Sequence, residues 1–243
     1  MSESTGPSEL AQHLLAQAAS QAETEAFFWH RLRSRYALQS IRKLCPGNPS
    51  VLDIGAGAGV FHSHFKQAFP AGHYAFVEPI EDLAARLQAV AGPGSDWSGR
   101  SDYFPAGAAV LLDVLEHQED DAGFLRTLAG KLAPGAALVL TCPALPSLWS
   151  SWDEKLGHYR RYRLGPFRRV IESAGFEVID CRYLFQAMVL PGMVRRRQMP
   201  GNAEFPRLTR PVNGLLYRLG LLEQGLCGWM PFGSSVAAVC RKR

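Results

Sequence analysis

Three stretches of this sequence hold residue types at spacings that do chemistry. The first is VLDIGAGAGVF, residues 51–61, in which Asp53 is followed by Gly55, Gly57 and Gly59. A glycine turn straight after a hydrophobic strand leaves backbone amides bare, so a nucleotide can approach them closely. The second is DVLEH, residues 113–117. If these residues turn helically, Asp113, Glu116 and His117 stand at i, i+3 and i+4 on one face. Two acids and an imidazole there suit a divalent ion such as Mg²⁺, Mn²⁺ or Zn²⁺. They also suit proton transfer through His117, since an unperturbed imidazole has a pKa of about 6.5. The third is HYRRYR, residues 158–163. It supplies a further histidine, His158, and three arginines (Arg160, Arg161 and Arg163) able to pair with phosphate or carboxylate. Tyr159 and Tyr162 between them are able to stack on an aromatic acceptor or a base. The plain alternative is a loop whose arginines pair with Asp153, Glu154 or the acidic first half of the chain.

Spacing decides which nucleotide the glycine turn suits. A dinucleotide fingerprint, GxGxxG, begun at Gly55 needs a glycine where Val60 stands. Asp53, two residues before the first glycine, would repel a pyrophosphate but suits a ligand carrying an ammonium or a sulfonium. S-adenosylmethionine (SAM) carries both. No GKS or GKT is present, which removes a Walker loop. Glu78, in AFVEP and 19 residues beyond Gly59, can take both ribose hydroxyls, a placement NAD folds share. A glycine turn that only packs strand on helix is the remaining alternative, and Asp53 and Glu78 together argue against it.

The elements that must position these residues read as alternating strands and helices. Residues 8–19 and about 22–44 carry helical periodicity, and CPGNP (45–49) closes the second run. Strands are expected at SVLDI (50–54), HYAFV (73–77), AAVLL (108–112) and AALVLTC (136–142), with helices at 60–68, about 80–90 and 120–132. The unbroken apolar run AAVLL fits a strand buried on both faces. Between residues 91 and 107 no third strand is evident. Further on come a helix ending at Gly175, a strand FEVIDCRYLF (176–185), a helix near 212–222 and a terminal strand SSVAAVC (234–240). This alternation predicts a parallel, helix-covered sheet in one α/β domain. Its parts would be a helical cap (1–48), a nucleotide-binding core (49–185), a variable lid or substrate region (186–232) and a last strand (233–243).

DIGAGAGVF, FVEP, LLDVLEH and LAPGAALVLTCPA, in that order, resemble class I SAM-dependent methyltransferases over roughly residues 25–180 and 234–243. FFWHRLRSR (27–35), SLWSSWDEKLGHYRRY (147–162) and ESAGFEV (172–178) resemble a bacterial subgroup with a Phe-Trp leading helix and a W…D…GHxRRY segment. The resemblance implies a Rossmann-like, mostly parallel seven-stranded sheet with an antiparallel last strand and helices on both faces. It assigns Asp53, Gly55, Gly57 and Gly59 to the methionine end of SAM and Glu78 to the ribose, with Pro79 and Asp113 also on the cofactor. Asp96, beside Trp97, is the candidate adenine reader in a short, Gly-rich stretch that departs from the family pattern. DVLEH with His158 is similar to the metal turn of small-RNA 3′-terminal 2′-O-methyltransferases and ubiquinone-pathway O-methyltransferases, with Asp in place of the first Glu. That likeness implies Asp113, Glu116, His117 and His158 as metal ligands. Methyltransferases without metal also carry Glu-His here, the Glu bonding backbone and the His shaping the pocket. On that reading His117 or His158 is the catalytic base.

Bulk features bound the rest. Five cysteines without a CxxC pair argue against a disulfide framework or a cysteine zinc site and fit a reducing cytosol. MSESTGPSEL lacks a signal pattern, and LFQAMVLPGMV (184–194) is too short to span a bilayer. The expected location is cytoplasmic, at most peripheral to the inner face of the membrane. RRR (195–197) directly after that apolar run fits a membrane surface or a lipid-like substrate. Residues 1–150 hold 10 Lys and Arg against 15 Asp and Glu, and residues 151–243 hold 16 against 7. The function these features favour is SAM-dependent methyl transfer (EC 2.1.1.-) to oxygen on a small or lipid-linked metabolite. The alternatives are an RNA 2′-O-methyltransferase using a divalent metal, for which no RNA-binding appendage is found, and a non-catalytic SAM-fold partner protein. An NAD-dependent reductase is disfavoured by Asp53 and Val60.

Overall fold

The computed structural model describes residues 8–92, 94, 105–198, 208–226, 228 and 230–243. Its strands are β1 (Ser50–Ile54), β2 (His73–Val77), β3 (Ala108–Leu112), β4 (Ala137–Pro143), β5 (Phe176–Leu184) and β6 (Ser235–Lys242). Its helices are α1 (Glu9–Ala19), α2 (Gln21–Ala26), α3 (Phe28–Leu44), α4 (Val60–Ala68), α5 (Glu81–Ala91), α6 (Asp121–Lys131), α7 (Ser151–Lys155), α8 (Leu164–Ser173), α9 (Val189–Gln198) and α10 (Arg210–Leu226). The strands form one sheet in the order β2-β1-β3-β4-β6-β5. β1 is parallel to β2 and β3, and β3 is parallel to β4. β6 is antiparallel to both β4 and β5. The antiparallel last strand is therefore as expected, whereas the expected seven strands become six among the described residues. Residues 95–104, within the stretch where no third strand was evident, lie outside them.

Both faces of the sheet are covered, which is why its central strands read as unbroken apolar runs. Leu52, Leu111 and Leu138 point to one face and meet Leu125, Leu128 and Phe167 from α6 and α8. Val51, Val110 and Val139 point to the other and meet Leu32, Ile41 and Phe65 from α3 and α4. Helix α3 thus contributes to the core. The helix expected over 22–44 is interrupted at Phe27, whose backbone is extended (φ −65°, ψ 129°). The Phe28 N–H donates to Asn213 Oδ1 at 2.8 Å, and the Asn213 amide donates to Ala26 O. A side chain from α10 thus caps α3 across the fold. Helix α9, which the sequence reading lacked, accommodates Pro191 in its first turn, where an amide has no intrahelical partner.

From β1 the chain moves outward to β2 and then crosses to β3 on the other side. Ligands of open α/β sheets lodge at such a reversal, off the carboxyl ends of the strands. The glycine turn after β1 and DVLEH after β3 both lie at that edge.

Candidate active site

A cavity of about 560 Å³ opens there, lined by the glycine turn, the DVLEH turn and parts of α1, α3, α7 and α9. At one end sits Glu78. Its two oxygens accept the Gly57 N–H (2.6 Å) and the Ile80 N–H (2.9 Å). Burial raises its pKa, and the two amides oppose that rise. A carboxylate has about four acceptor positions, so this one can bond further groups inside the cavity. Asp53 is buried and accepts the Tyr74 hydroxyl at 2.6 Å. Burial pushes its pKa up to about 7, against the pull of that bond. Asp53, Gly55, Gly57, Glu78, Pro79 and Asp113 all line the cavity. Gly57 has φ +54°, and a Cβ built on it would meet Leu14 of α1 at 3.7 Å.

Gly59 is not among the lining residues. It begins α4 with φ +75°, and a Cβ there would stand 2.9 Å from Leu87 of α5. Gly59 lines a smaller neighbouring cavity with Gly57 and Ala58, and its backbone lets the turn close against α5. Asp96 and Trp97 lie outside the described residues.

The other end gathers histidines. The DVLEH stretch does not turn as one helix. Asp113 takes a left-handed backbone (φ +61°), and a 3₁₀ turn covers only Leu115–His117. The Asp113 carboxylate accepts the Thr141 hydroxyl at 2.9 Å and pairs with Arg33 of α3. It lies outside the metal-capable cluster found among the described residues. The remaining three do assemble: candidate ligand atoms of Glu116, His117 and His158 lie within 4.8 Å of one another. What brings His158 here is backbone pairing after β4. Tyr162 N–H donates to Pro143 O, Leu145 N–H to Tyr162 O, and Tyr159 N–H to Glu116 O at 2.8 Å.

The electrostatics of this end are unusual. Glu116 is fully buried beside the Cys142 thiol. Burial, then the nearby Asp113 charge, holds its pKa well above the carboxylate range, with the Cys142 thiol among the groups pulling the other way. Burial and then His158 bring His117 down to about 4. The two imidazoles meet edge to face, 4.7 Å between centres. His158 Nδ1 lies 3.0 Å from Asp153 Oδ1, and Arg161 Nε donates to the same oxygen at 2.7 Å. Asp153 is completely buried. Burial alone would raise its pKa, but the His158 bond and the Arg161 charge outweigh that and lower it. With Nδ1–H committed to Asp153, His158 keeps Nε2 as an acceptor. Trp29 lies flat on Phe185, 3.9 Å between centres, and with Phe28, Leu148 and Met188 builds an apolar wall.

The methyltransferase-domain family matches residues 28–180, more than half of the chain. The chain belongs to that family. Its fold is that of class I SAM-dependent methyltransferases. The partner of the Trm112 methyltransferase activator in a Haloferax volcanii complex superposes with a TM-score of 0.63 at 14% identity, covering 98% of this chain and 99% of that one. The plantazolicin methyltransferase BpumL in complex with SAH gives 0.57 at 15% identity over 96% and 94% of the two chains. A SAM-dependent methyltransferase from Archaeoglobus fulgidus gives 0.54 at 15% identity over 86% and 94%. At these identities the likeness is one of fold alone. No curated protein matches the chain by sequence.

Within this methyltransferase domain, HYRRYR faces inward more than its sequence implies. Arg161 is buried on Asp153, Arg160 pairs with Asp121, and Tyr162 is buried with its hydroxyl on Asp121. That is the internal pairing weighed as the plain alternative, and of the two tyrosines only Tyr159 stands exposed. Two site residues escaped the sequence reading as functional groups. Asp153 carried a signal: Ser150 three residues before it forms a capping box with it. Arg33 carried none, because its partner Asp113 is 80 positions away.

Proposed function

We propose that this chain transfers a methyl group from SAM to an oxygen of a small or lipid-linked acceptor. The observation that carries the reading is His158, fixed through Nδ1 by buried Asp153 and set beside His117 at the cavity. SAM fits the opposite end: Glu78 has acceptor positions for ribose hydroxyls, and Asp53, Gly55 and Gly57 line the space for the methionine end. When bound, the cofactor supplies a methyl group on a positively charged sulfur, an electrophile that needs an aligned nucleophile. A hydroxyl nucleophile must shed its proton in that transfer. His158 accepts it at Nε2, and the Asp153 carboxylate stabilises the imidazolium that results. His117, held neutral, orients the acceptor by hydrogen bonding. The apolar wall excludes water and receives the acceptor's hydrophobic part.

One observation favours a second use of the same residues. Glu116 is a fully buried carboxylate, close to the Cys142 thiol and next to two imidazoles. These donors fit a divalent ion, which Glu116, His117 and His158 would hold. When bound, such an ion polarises a hydroxyl and lowers its pKa.

Calorimetric titration of chelator-treated protein with S-adenosylhomocysteine, with NAD as control, tests the reading. Micromolar binding of the homocysteine with none of NAD is expected, and no binding of either sinks it. Repeating the titration with Mg²⁺, Mn²⁺ or Zn²⁺ alone separates the two uses of His158. A metal isotherm lost in His117→Ala selects the ion, and its absence in wild type selects the base.

A further inference from the structure

Helix α10 carries apolar residues on two sides, with Leu216, Tyr217 and Leu221 packed on the core. Several polar groups also face the protein: Asn213 accepts from Phe28 N–H and donates to Ala26 O, and Gln224 donates to Leu32 O. Glu223 accepts from the amides of Gln186 and Ala187, and the Arg31 guanidinium lies 3.6 Å over the Tyr217 ring. Outside remain Val212, Leu215, Leu219, Leu222 and Leu226, each between 44% and 70% exposed. They recur at steps of three and four, so they form one stripe along the helix. At 1.5 Å per residue that stripe is about 20 Å long. A water-facing helix side normally carries charge. Helix α9 adds exposed Leu190 and Val194, i and i+4 on the same helix.

Charge identifies the occupant. Residues 189–226 hold six arginines and two glutamates. Of the two, Glu223 is engaged with backbone amides. The exposed charged residues of α10 are Arg210 and Arg218. A second copy of the chain would bring matching leucines but also matching arginines, with no exposed carboxylate among the described residues of α10 to pair them. A surface of anionic lipid headgroups offers phosphate to the guanidiniums and acyl chains to the leucines. Among the described residues no helix is long and apolar enough to cross a membrane, so α10 would lie along the interface.

We propose that the outer face of α10, with the outer side of α9, docks this protein on an anionic lipid bilayer. Helix α9 also lines the cavity with Pro191 and Gly192, so docking brings the cavity rim to the bilayer. The docking rests on the exposed faces alone. Only its use in presenting a lipid-linked acceptor rests on the chemistry proposed above.

Sedimentation of the full chain with vesicles tests this. The probes are phosphatidylcholine alone and a phosphatidylcholine–phosphatidylglycerol mixture, at low and high salt. The wild type should partition to the mixture, less at high salt and little to phosphatidylcholine alone. The triple variant Leu215→Ser, Leu219→Ser, Leu222→Ser should lose about tenfold or more of that partitioning. Arg218→Glu, a separate exposed change, should lose about fivefold or more. Unchanged thermal melting and S-adenosylhomocysteine affinity would certify that each variant is folded with its site intact. Wild type left in the supernatant with mixed vesicles at low salt would overturn the proposal, as would undiminished binding of the triple variant. A wild-type dimer in light scattering that the triple variant turns into a monomer would reassign the stripe to a second copy.

Discussion

At the glycine-turn end of the cavity the polar contacts close over short stretches of chain. Tyr74 reaches Asp53 and Gly57 reaches Glu78 across 21 positions each, and Ile80 reaches Glu78 across two. At the histidine end local contacts, His158 to Asp153 across five positions and Arg161 to Asp153 across eight, are joined by long-range ones. Arg33 meets Asp113 across 80 positions, and Asn213 caps α3 across 185. The first end is set by one strand–turn–strand unit and forms with it. The second is complete only once α3, β3 and the segment after β4 have docked, with α10 capping α3 behind it. Binding and folding should therefore respond differently to changes at the two ends.

The sharpest separation is expected at Asp153. Asp153→Ala strands a buried Arg161 and frees His158, and breaking a buried pair this way costs about 3–5 kcal/mol of stability. Urea unfolding measures it. A loss under about 1 kcal/mol would mean that the histidine end is held by something other than this carboxylate.

Acidity pulls the two ends in opposite directions. Between about pH 4 and 6.5 the unfolded chain protonates His117 and the folded chain does not, so this group's contribution falls as pH drops through that window. Asp53 is the reverse: from about pH 4 to 7 the folded chain keeps a proton the unfolded chain gives up, so its contribution falls as pH rises. Comparing unfolding midpoints near pH 4.5 and 7, in chelator, should show His117→Gln less acid-sensitive than wild type. Asp53→Asn should lose less on going to neutral pH. Each change should be on the order of 2 kcal/mol, and slopes of the same sign in the two variants would break the contrast.

Glu78→Ala should leave stability almost untouched while weakening S-adenosylhomocysteine binding by about 1.5–3 kcal/mol, the scale of hydrogen bonds to a charged group. Calorimetry alongside unfolding reads both, and a stability loss without an affinity loss would turn Glu78 into a mere brace for the glycine turn. The smallest effect is expected from Asn213→Ala, about 1 kcal/mol for a lost helix cap, visible as a lower urea midpoint.

The same distinction of range explains what could be read from the sequence. The strands were legible because sheets covered on both faces demand unbroken apolar runs, and Asp53, Gly57 and Glu78 because their spacing is local. Glu116, His117 and His158 were legible as residue types, though it is the backbone pairing after β4, including Tyr159 with Glu116, that brings them together. Helical spacing does not describe DVLEH, where a left-handed Asp113, held by Thr141 and Arg33, turns its carboxylate aside. Gly59 packs against Leu87 of α5, and in the sequence a glycine needed for packing looks like one needed for a ligand. The break at Phe27 has its cause in Asn213, which no local pattern reveals.

Helix α1 touches both ends of the cavity at once. Leu14 stands over Gly57 in the turn, and His13 meets the Trp152 ring of α7 edge-on at 5.9 Å. One helix of eleven residues therefore closes over both ends of the cavity. If the proposed transfer takes place there, a molecule leaving on that side would have to displace both contacts together, which would tie its residence time to the lifting of this one helix.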